Sequence, residues 1–377
     1  MSEDLTAIGL MSSTSVDGIE VALLNTDGDV ILEAGPTLQF PYSRDLKVWI
    51  HRAMKAALEG RDGASEIGKA AGEVTLAHIS AVEAFLEETG IKRKDVDVIG
   101  FHGHTILHNP RTQPDSLGRS WQIGDGSVLA EETRIDVINN FRSADIAAGG
   151  DGAPFMAVYY RALIAAMEEH PECAVGVIDL GEKSTITYVP ENARATELIA
   201  FDGGPGNKLV REWLALKTGE PRDEDGETAL AGRVDEEALR MMLLSPYLRR
   251  KLPKTLDRFD FKLDHLKSLT VEDGAATLTA LTAACIDRAE AFYPELPGGY
   301  IVCGSGRHNP AMMQALQERL DAPVVGAEDA GWRGDDLEAE CFAYLAVRSL
   351  KKLPLSFPMT TRVPRPMLGG VFHRAPI

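Results

Sequence analysis

Residues 9–20 read GLMSSTSVDGIE and run straight on into VALLNTDGDVILEA. A short apolar strand ends in a loop of small hydroxyl residues, an Asp-Gly pair opens a second strand, and Asp27-Gly28 turns the chain into a third. Small side chains let backbone N–H groups approach an anion, so a loop of this kind between strands suits a phosphate. An ordinary hairpin with a polar turn has the same composition, and this stretch alone favours neither reading. A second copy tips the balance. Residues 174–189 again form strand, turn and strand, with Asp179, Leu180 and Gly181 at the turn. A hairpin-led α/β half that occurs twice is the strongest constraint the chain offers.

Around these hairpins the chain alternates. Apolar spacing predicts helices over residues 47–58 and 70–89, with Gly90 as the stop, and further helices over 127–133, 156–169, 207–217, 235–244, 275–292, 310–320 and 337–350. Strands are predicted over 97–101, 135–139, 174–179, 184–189, 197–201, 300–303 and 324–325. That order predicts an α/β fold with helices on both sheet faces. At 377 residues the chain is long for one core, so two domains are expected. The formal net charge of -18 weighs against nucleic acid as a partner, though not against a nucleotide held at a local site. No apolar run reaches membrane-spanning length, and MSEDLTAIGL lacks a basic region and a cleavage site, so a soluble protein is expected. The four cysteines, Cys173, Cys285, Cys303 and Cys341, have no metal-ligand spacing. Three sit in apolar segments and read as buried free thiols in a reducing cytoplasm.

Two nucleotide motifs come close and miss. Residues 63–70, GASEIGKA, lack the Ser or Thr that holds magnesium in a P-loop, and no strand precedes them, so Lys69 reads as a solvated helix residue. Gly304-Ser305-Gly306 follows a strand and precedes a helix, but Asn309 stands where a dinucleotide fingerprint has its third glycine. The same residues read as a tight turn in which Asn309 caps a helix and Pro310 takes its first position. Both roles are compatible, because helix N-termini bind anions through free N–H groups. Strands end in polar or glycine residues at 12–18, 179–181, 202–207 and 304–309, and ligands of open α/β sheets bind at the carboxyl ends of strands. Asp202 follows apolar Ile199-Ala200-Phe201 and precedes Gly-Gly-Pro-Gly, which makes it a candidate general base. Most loop aspartates are helix caps or backbone bonders instead, and pattern alone favours that role.

The segments GLMSSTSVDGIE, FHGHTILH, NNFRSADIAAGGDGAPF, AFDGGPGN, LPKTLDRFDF, TLTALTAACI, VCGSGRHNPAMM and GWRGDDLEAECFAYLAVRSL occur in that order along nearly the whole chain, followed by LPLSFPMTTRVP and LGG. Together they resemble the anhydro-N-acetylmuramic acid kinase family of the sugar kinase–actin superfamily. The resemblance implies two ribonuclease-H-like domains around an interdomain cleft, residues 1–140 plus 336–377 as domain I and 141–335 as domain II. It implies a cytoplasmic homodimer that uses ATP and Mg²⁺, without nucleic-acid or membrane partners. Its reaction would open 1,6-anhydro-N-acetylmuramic acid with water and yield N-acetylmuramic acid 6-phosphate, a step of peptidoglycan recycling.

Residue by residue, Ser12, Ser13, Thr14, Ser15, Asp17 and Gly18 resemble the first phosphate loop, and Asp179 and Gly181 the second. Gly304, Gly306 and Asn309 resemble the nucleotide-side turn. Asp202 matches the catalytic Asp that deprotonates the attacking water, with Gly204, Pro205, Gly206 and Asn207 shaping its surroundings. His102, Thr105, Arg142, Asp145, Lys254, Arg258 and Glu338 match positions near the sugar or the cleft. Each has a plainer reading: Arg142 with Asp145 as an ion pair, His102 as a bonded core residue, Lys254 and Arg258 as solvated. No protein motif for a metal is present, and magnesium would arrive with ATP.

The departures from the family pattern cluster in the loops. Gly is expected at Ser13 and at Ser305, Gln at His104 and Asp151, and Asp at Asn140 and Arg211. Asn-Leu-Gly-Gly and a later Asn are expected where Asp179, Leu180, Gly181, Glu182, Lys183, Ser184 and Thr185 stand. A Cβ at Ser13 crowds a backbone contact to phosphate. Glu182 brings a carboxylate toward a polyphosphate, and two like charges about 4 Å apart cost roughly 4 kcal/mol at an effective dielectric near 20. Lys183 beside it, or magnesium shared by Asp179 or Glu182, would offset that cost. Three readings follow: an active kinase of this sugar or a related one, a weakened homologue that binds sugar or nucleotide as a regulatory partner, and a kinase for another substrate.

Overall fold

A computed structural model describes residues 4–13, 15–111, 117–257 and 260–376. They divide into two compact units, Met1–Ala166 with Asp336–Ile377, and Met167–Asp335.

The first unit opens with β1 (Leu5–Ser12), β2 (Gly18–Thr26) and β3 (Ile31–Pro41), paired as an antiparallel meander. β4 (Val98–Asn109) lies parallel to β1, β5 (Arg119–Ile123) antiparallel to β4, and β6 (Val137–Asn139) parallel to β4. β1 is LTAIGLMS, apolar almost throughout and buried from Ala7 onward, as a central strand covered on both faces requires. β3 carries exposed Pro36 and lies at the sheet edge, where a missing N–H costs no ladder bond. The helices Arg44–Leu58 and Ser65–Thr89 pack Ile50, Val82 and Phe85 against Ile8, Val21, Ile99 and Phe101. Ser43 caps the first of these helices by accepting from Leu46 N, and Gly90, at φ 71°, ends the second. Residues 63–70 therefore lead into a helix, with exposed Lys69 paired to Glu73.

The second unit repeats the plan. β7 (Val175–Leu180), β8 (Lys183–Val189) and β9 (Ile199–Pro205) form an antiparallel meander, β10 (Gly299–Cys303) lies parallel to β7, and β11 (Val324–Gly326) parallel to β10. Both sheets thus carry the ribonuclease-H-like order, a three-strand meander whose first strand takes two more strands parallel to it. The helix Val271–Ala289 buries Leu278, Leu281, Ala284 and Ile286 in the two apolar clusters of this unit.

The chain then returns to the first unit through the helix Leu337–Leu350 and β12 (Val371–His373), which pairs antiparallel with β6. This helix lies directly on the central strands. A Cβ at Gly9 of β1 would collide with the carbonyl of Ala339, and one at Gly100 of β4 with that of Phe342. The division expected at Asn140 falls at Ala166. The helix Met156–Ala165 stays with the first unit because Tyr159 donates to Glu340 Oε2 at 2.6 Å and Arg161 to the Asp29 carbonyl at 3.0 Å. Cys285, Cys303 and Cys341 are buried free thiols, and Cys173 is exposed. Among the described residues no helix is long and apolar enough to cross a membrane.

Candidate active site

Asp202 sits within β9, 8% exposed, and its carboxylate is fully engaged. Oδ2 accepts from Lys183 Nζ at 2.9 Å and from Leu256 N at 2.7 Å, and Oδ1 accepts from Thr185 Oγ1 at 3.1 Å. Its backbone is clamped too: Asp202 N donates to the Lys254 carbonyl at 3.1 Å, and the Tyr247 hydroxyl donates to the Asp202 carbonyl. Asp202 is thus a bonder of backbone, as its pattern suggested, and also the acceptor of a lysine ammonium. None of these partners was legible in the loop motif. The one available signal was alternation along β8, which sends Lys183 and Thr185 to the same face.

The loops on either side of Asp202 interlock. Gly206 N donates to the Glu182 carbonyl at 3.0 Å and Asn207 N to the Gly181 carbonyl at 2.9 Å. Any Cβ at Gly206 would strike the Gly181 carbonyl, and one at Gly204 would press on Cys285. Glu182 is exposed. Asp179, partly buried at the end of β7, lies between Thr185 of β8 and Cys303 of β10. Burial pushes its carboxyl up to about 6, the charge of Asp202 adds to the rise, and Arg307 opposes it. The turn after β10 rests on the same residue. Gly304 takes φ 74°, where a side chain is strained, and a Cβ there would collide with Asp179 Oδ1. Gly306 packs on Leu180, and Asn309 caps the helix Pro310–Arg319 by accepting from Met312 N at 3.2 Å. Arg307, its side chain 2% exposed, ties the turn down through Gly304 O at 3.0 Å, Glu328 Oε1 at 2.7 Å and Asp335 Oδ1 at 2.7 Å. The fold therefore brings together Asp179, Gly181, Asp202, Gly204, Gly206, Asn207, Gly304 and Gly306. Asn309 stands beside them with its side chain committed to a cap. Lys254, expected to be solvated in its plainer reading, is buried. Its ammonium lies over Phe201, Tyr247 and Phe292, and burial lowers it to about 8. Arg211 is exposed on the helix Lys208–Thr218.

In the first unit the hydroxyl of Ser12 is taken up inside the core. It accepts from the Tyr42 hydroxyl at 2.7 Å and lies 2.8 Å from His104 Nδ1, and both Ser12 and His104 are buried. Ser13 Oγ bonds Ser15 Oγ, Asp17 is exposed 3.8 Å from Lys47 Nζ, and Gly18 opens β2 opposite Pro41. Thr14 and Arg258 lie outside the described residues.

Farther along β4, His102 Nδ1 donates to the Gly103 carbonyl at 2.9 Å, which leaves Nε2 as an acceptor for Arg142 at 3.0 Å. Burial and then the Arg142 charge hold this imidazole well below its usual pKa, so it is neutral. Arg142 also donates to the Gly152 carbonyl at 2.7 Å, and the charge of exposed Glu338 acts on it. Thr105 Oγ1 accepts from Gln122 Nε2 at 3.0 Å. Asp145 is buried and braces a glycine loop, accepting from Gly152 N at 2.7 Å and from Thr361 Oγ1. Asp145 and Arg142 hold the same glycine, one at its N–H and the other at its carbonyl, and the Arg142 charge acts on the Asp145 carboxyl. Asp151 is buried with Arg362 3.3 Å away, which compensates its charge. Among the described residues no group of three or more His, Cys, Asp or Glu could hold a metal ion.

The sequence model of a family described as "Anhydro-N-acetylmuramic acid kinase" matches residues 5–374. A protein of that name from Nitrobacter winogradskyi is 44% identical over 377 residues, covering 98% of this chain and 100% of its own. One from Agrobacterium fabrum is 42% identical over 381 residues, covering 100% of both chains. Among solved structures, component A of (R)-2-hydroxyglutaryl-CoA dehydratase from Acidaminococcus fermentans gives a TM-score of 0.44 at 13% identity, over 91% of this chain and 99% of that one. A ROK hexokinase from Thermus thermophilus gives 0.40 at 14% identity, over 91% and 99%.

Proposed function

We propose that this chain, which belongs to the anhydro-N-acetylmuramic acid kinase family, uses ATP to open 1,6-anhydro-N-acetylmuramic acid with water and phosphorylate it, yielding N-acetylmuramic acid 6-phosphate in peptidoglycan recycling. The observation that carries the reading is Asp202, held beside two glycine loops and a second carboxylate at the strand ends of one sheet. In this reading Asp202 takes a proton from water as the water oxygen bonds to the anomeric carbon. The bond from that carbon to the bridging oxygen breaks, the released oxygen attacks the γ-phosphorus, and ADP leaves. Gly181, Gly206, Asn207, Gly304 and Gly306 would lie along the phosphates; the N–H groups of Gly181, Gly206 and Asn207 are spent holding the two loops together, so in this reading Gly304 and Gly306 bring backbone N–H groups to the phosphates. His102, Thr105, Arg142 and Glu338 are assigned to the sugar. Asp179, which feels the charge of Asp202, would suit magnesium carried on the phosphates, since that ion takes one or two carboxylates with phosphate and water and would neutralise charge there. The reading carries with it a cytoplasmic homodimer.

The test is ADP release with the anhydrosugar and MgATP. Asp202→Asn is expected to lower turnover by 10²-fold or more, on the order of a lost general base, while MgATP still binds. The Lys183 ammonium on Asp202 favours a second reading, a homologue whose base is held and which binds sugar or nucleotide in a regulatory role. Nucleotide binding without turnover on any anhydrosugar would select that one.

A further inference from the structure

We propose that Lys183 is a phosphate-binding residue of this site, and that its exchange from Asp202 to the nucleotide is what frees the base. The inference rests on the kinase reading and deepens it. Residues 183 and 185 share one face of β8, and both reach the Asp202 carboxylate, Lys183 at 2.9 Å and Thr185 at 3.1 Å. If Lys183 leaves, Asp202 keeps Thr185 Oγ1 and Leu256 N, so the buried carboxylate is not stranded. The Lys183 side chain is 37% exposed while that of Asp202 is 10% exposed, so water and a ligand from solvent reach the ammonium and not the carboxylate. Its backbone is fixed, since the Lys183 carbonyl accepts from Gly181 N at 3.0 Å within the interlocked loops. The ammonium is therefore a solvent-reachable charge on a fixed backbone, beside the loop assigned to the phosphates.

The neighbouring charges require such a cation. Asp179, Glu182 and Asp202 bring three carboxylates to the loops that would receive a polyanion. Arg307 is buried and bound to Glu328 and Asp335, and the Lys254 ammonium is enclosed by three aromatic rings. A triphosphate presents more negative charge than the single Asp202 carboxylate, and its oxygens compete for the ammonium from the solvent side. Proton removal by Asp202 is then coupled to occupancy: the base is bound to Lys183 until nucleotide draws that charge away.

Calorimetry on the full chain tests this. Wild type is expected to bind MgATP, and Lys183→Met to bind it at least tenfold more weakly while adenosine binding is unchanged. Lys183→Arg, which keeps the charge, is expected to stay within about threefold of wild type. Lys183→Gln leaves an amide donor for Asp202, so it separates loss of charge from misfolding, and it is expected to lose as much affinity as Lys183→Met. In turnover the KM for ATP should rise while kcat holds or increases, because Asp202 is no longer held. Equal MgATP affinity in wild type and Lys183→Gln, or a parallel loss of adenosine binding, would overturn the role of Lys183 and leave the kinase reading standing. A wild-type chain that binds no MgATP would overturn both.

Discussion

Asp179 is the residue whose protonation the site can be made to report. Its carboxyl is pushed up to about 6 by burial and by Asp202, so it is ionised above that pH and protonated below. If it helps hold magnesium on the phosphates, MgATP affinity should be flat above pH 7 and fall about tenfold per unit below pH 6. Asp179→Asn should bind more weakly at neutral pH and lose that slope. Calorimetry from pH 5 to 8 reads both, and an affinity that rises in acid would mean that Asp179 faces phosphate without a metal. The same residue scale marks what the sequence could and could not disclose. A carboxylate after an apolar strand and before glycines is visible in a string of letters, so Asp202 was legible. Its three donors come from Lys183, Thr185 and Leu256, two distant segments, and no local pattern announces them. Ser12 was legible as a loop hydroxyl but not as one spent on Tyr42 and His104. Exposure also changes the weight of Glu182: in a medium close to water a like charge about 4 Å away costs only about 1 kcal/mol, so that substitution alone does not exclude a polyphosphate.

Among the elements, β7, β10 and the helix Leu337–Leu350 followed their periodicity, whereas β4 runs on from its expected end at Phe101 to Asn109 because β5 pairs with it there, and β9 from Phe201 to Pro205 because β8 does. The helix Ser65–Thr89 begins five residues before the expected start at Ala70, because Ala64 at its cap offers no side-chain bond and so no signal. β12 is three residues long, and only its distant partner β6 makes it a strand. The helix Val271–Ala289 supplies a prediction with an inverted sign. Gly274 in its first turn would ordinarily cost the helix about 1 kcal/mol relative to Ala. Here a Cβ would collide with the indole of Trp213, which is fully buried and donates to the Val271 carbonyl at 2.8 Å. Gly274→Ala is therefore expected to destabilise the second unit by about 1–3 kcal/mol, the cost of overpacking, read as a lower urea midpoint at unchanged slope. A midpoint that rises would show that propensity outweighs the fit of Trp213.

At the scale of the whole molecule, two hairpin-led halves could be read from the repeat of strand, turn and strand, while the boundary between them could not. Residues 141–166 look like the start of a second half, and contacts far apart in sequence assign them to the first: Arg142 on His102, Asp145 on Thr361, Tyr159 on Glu340 and Arg161 on Asp29. The two units also differ in their response to acid, the first through its buried imidazoles, against which the raised carboxyl of buried Asp145 works. In the first, burial lowers the His78 and His104 imidazoles to about 4, and holds His102 low as well. Between pH 6.5 and 4 the unfolded chain then binds more protons than the folded one, so stability present above 6.5 is lost as pH falls. Each shift from 6.5 to about 4 is worth on the order of 3 kcal/mol. The second unit has its histidines, His170, His265 and His308, exposed. Its raised Asp179 works the other way, since a carboxyl elevated in the fold is relieved as pH drops through 6 toward 3.8. Hydrogen exchange on the intact chain should therefore show protection lost first in residues 4–111 and 337–350 as pH is lowered from 7 to 4.5, with residues 175–205 and 271–303 protected to lower pH. Replacing His78 with Gln, which cannot charge, should shift the first transition downward in pH. Simultaneous loss across both units would mean that acid acts through a group outside these imidazoles.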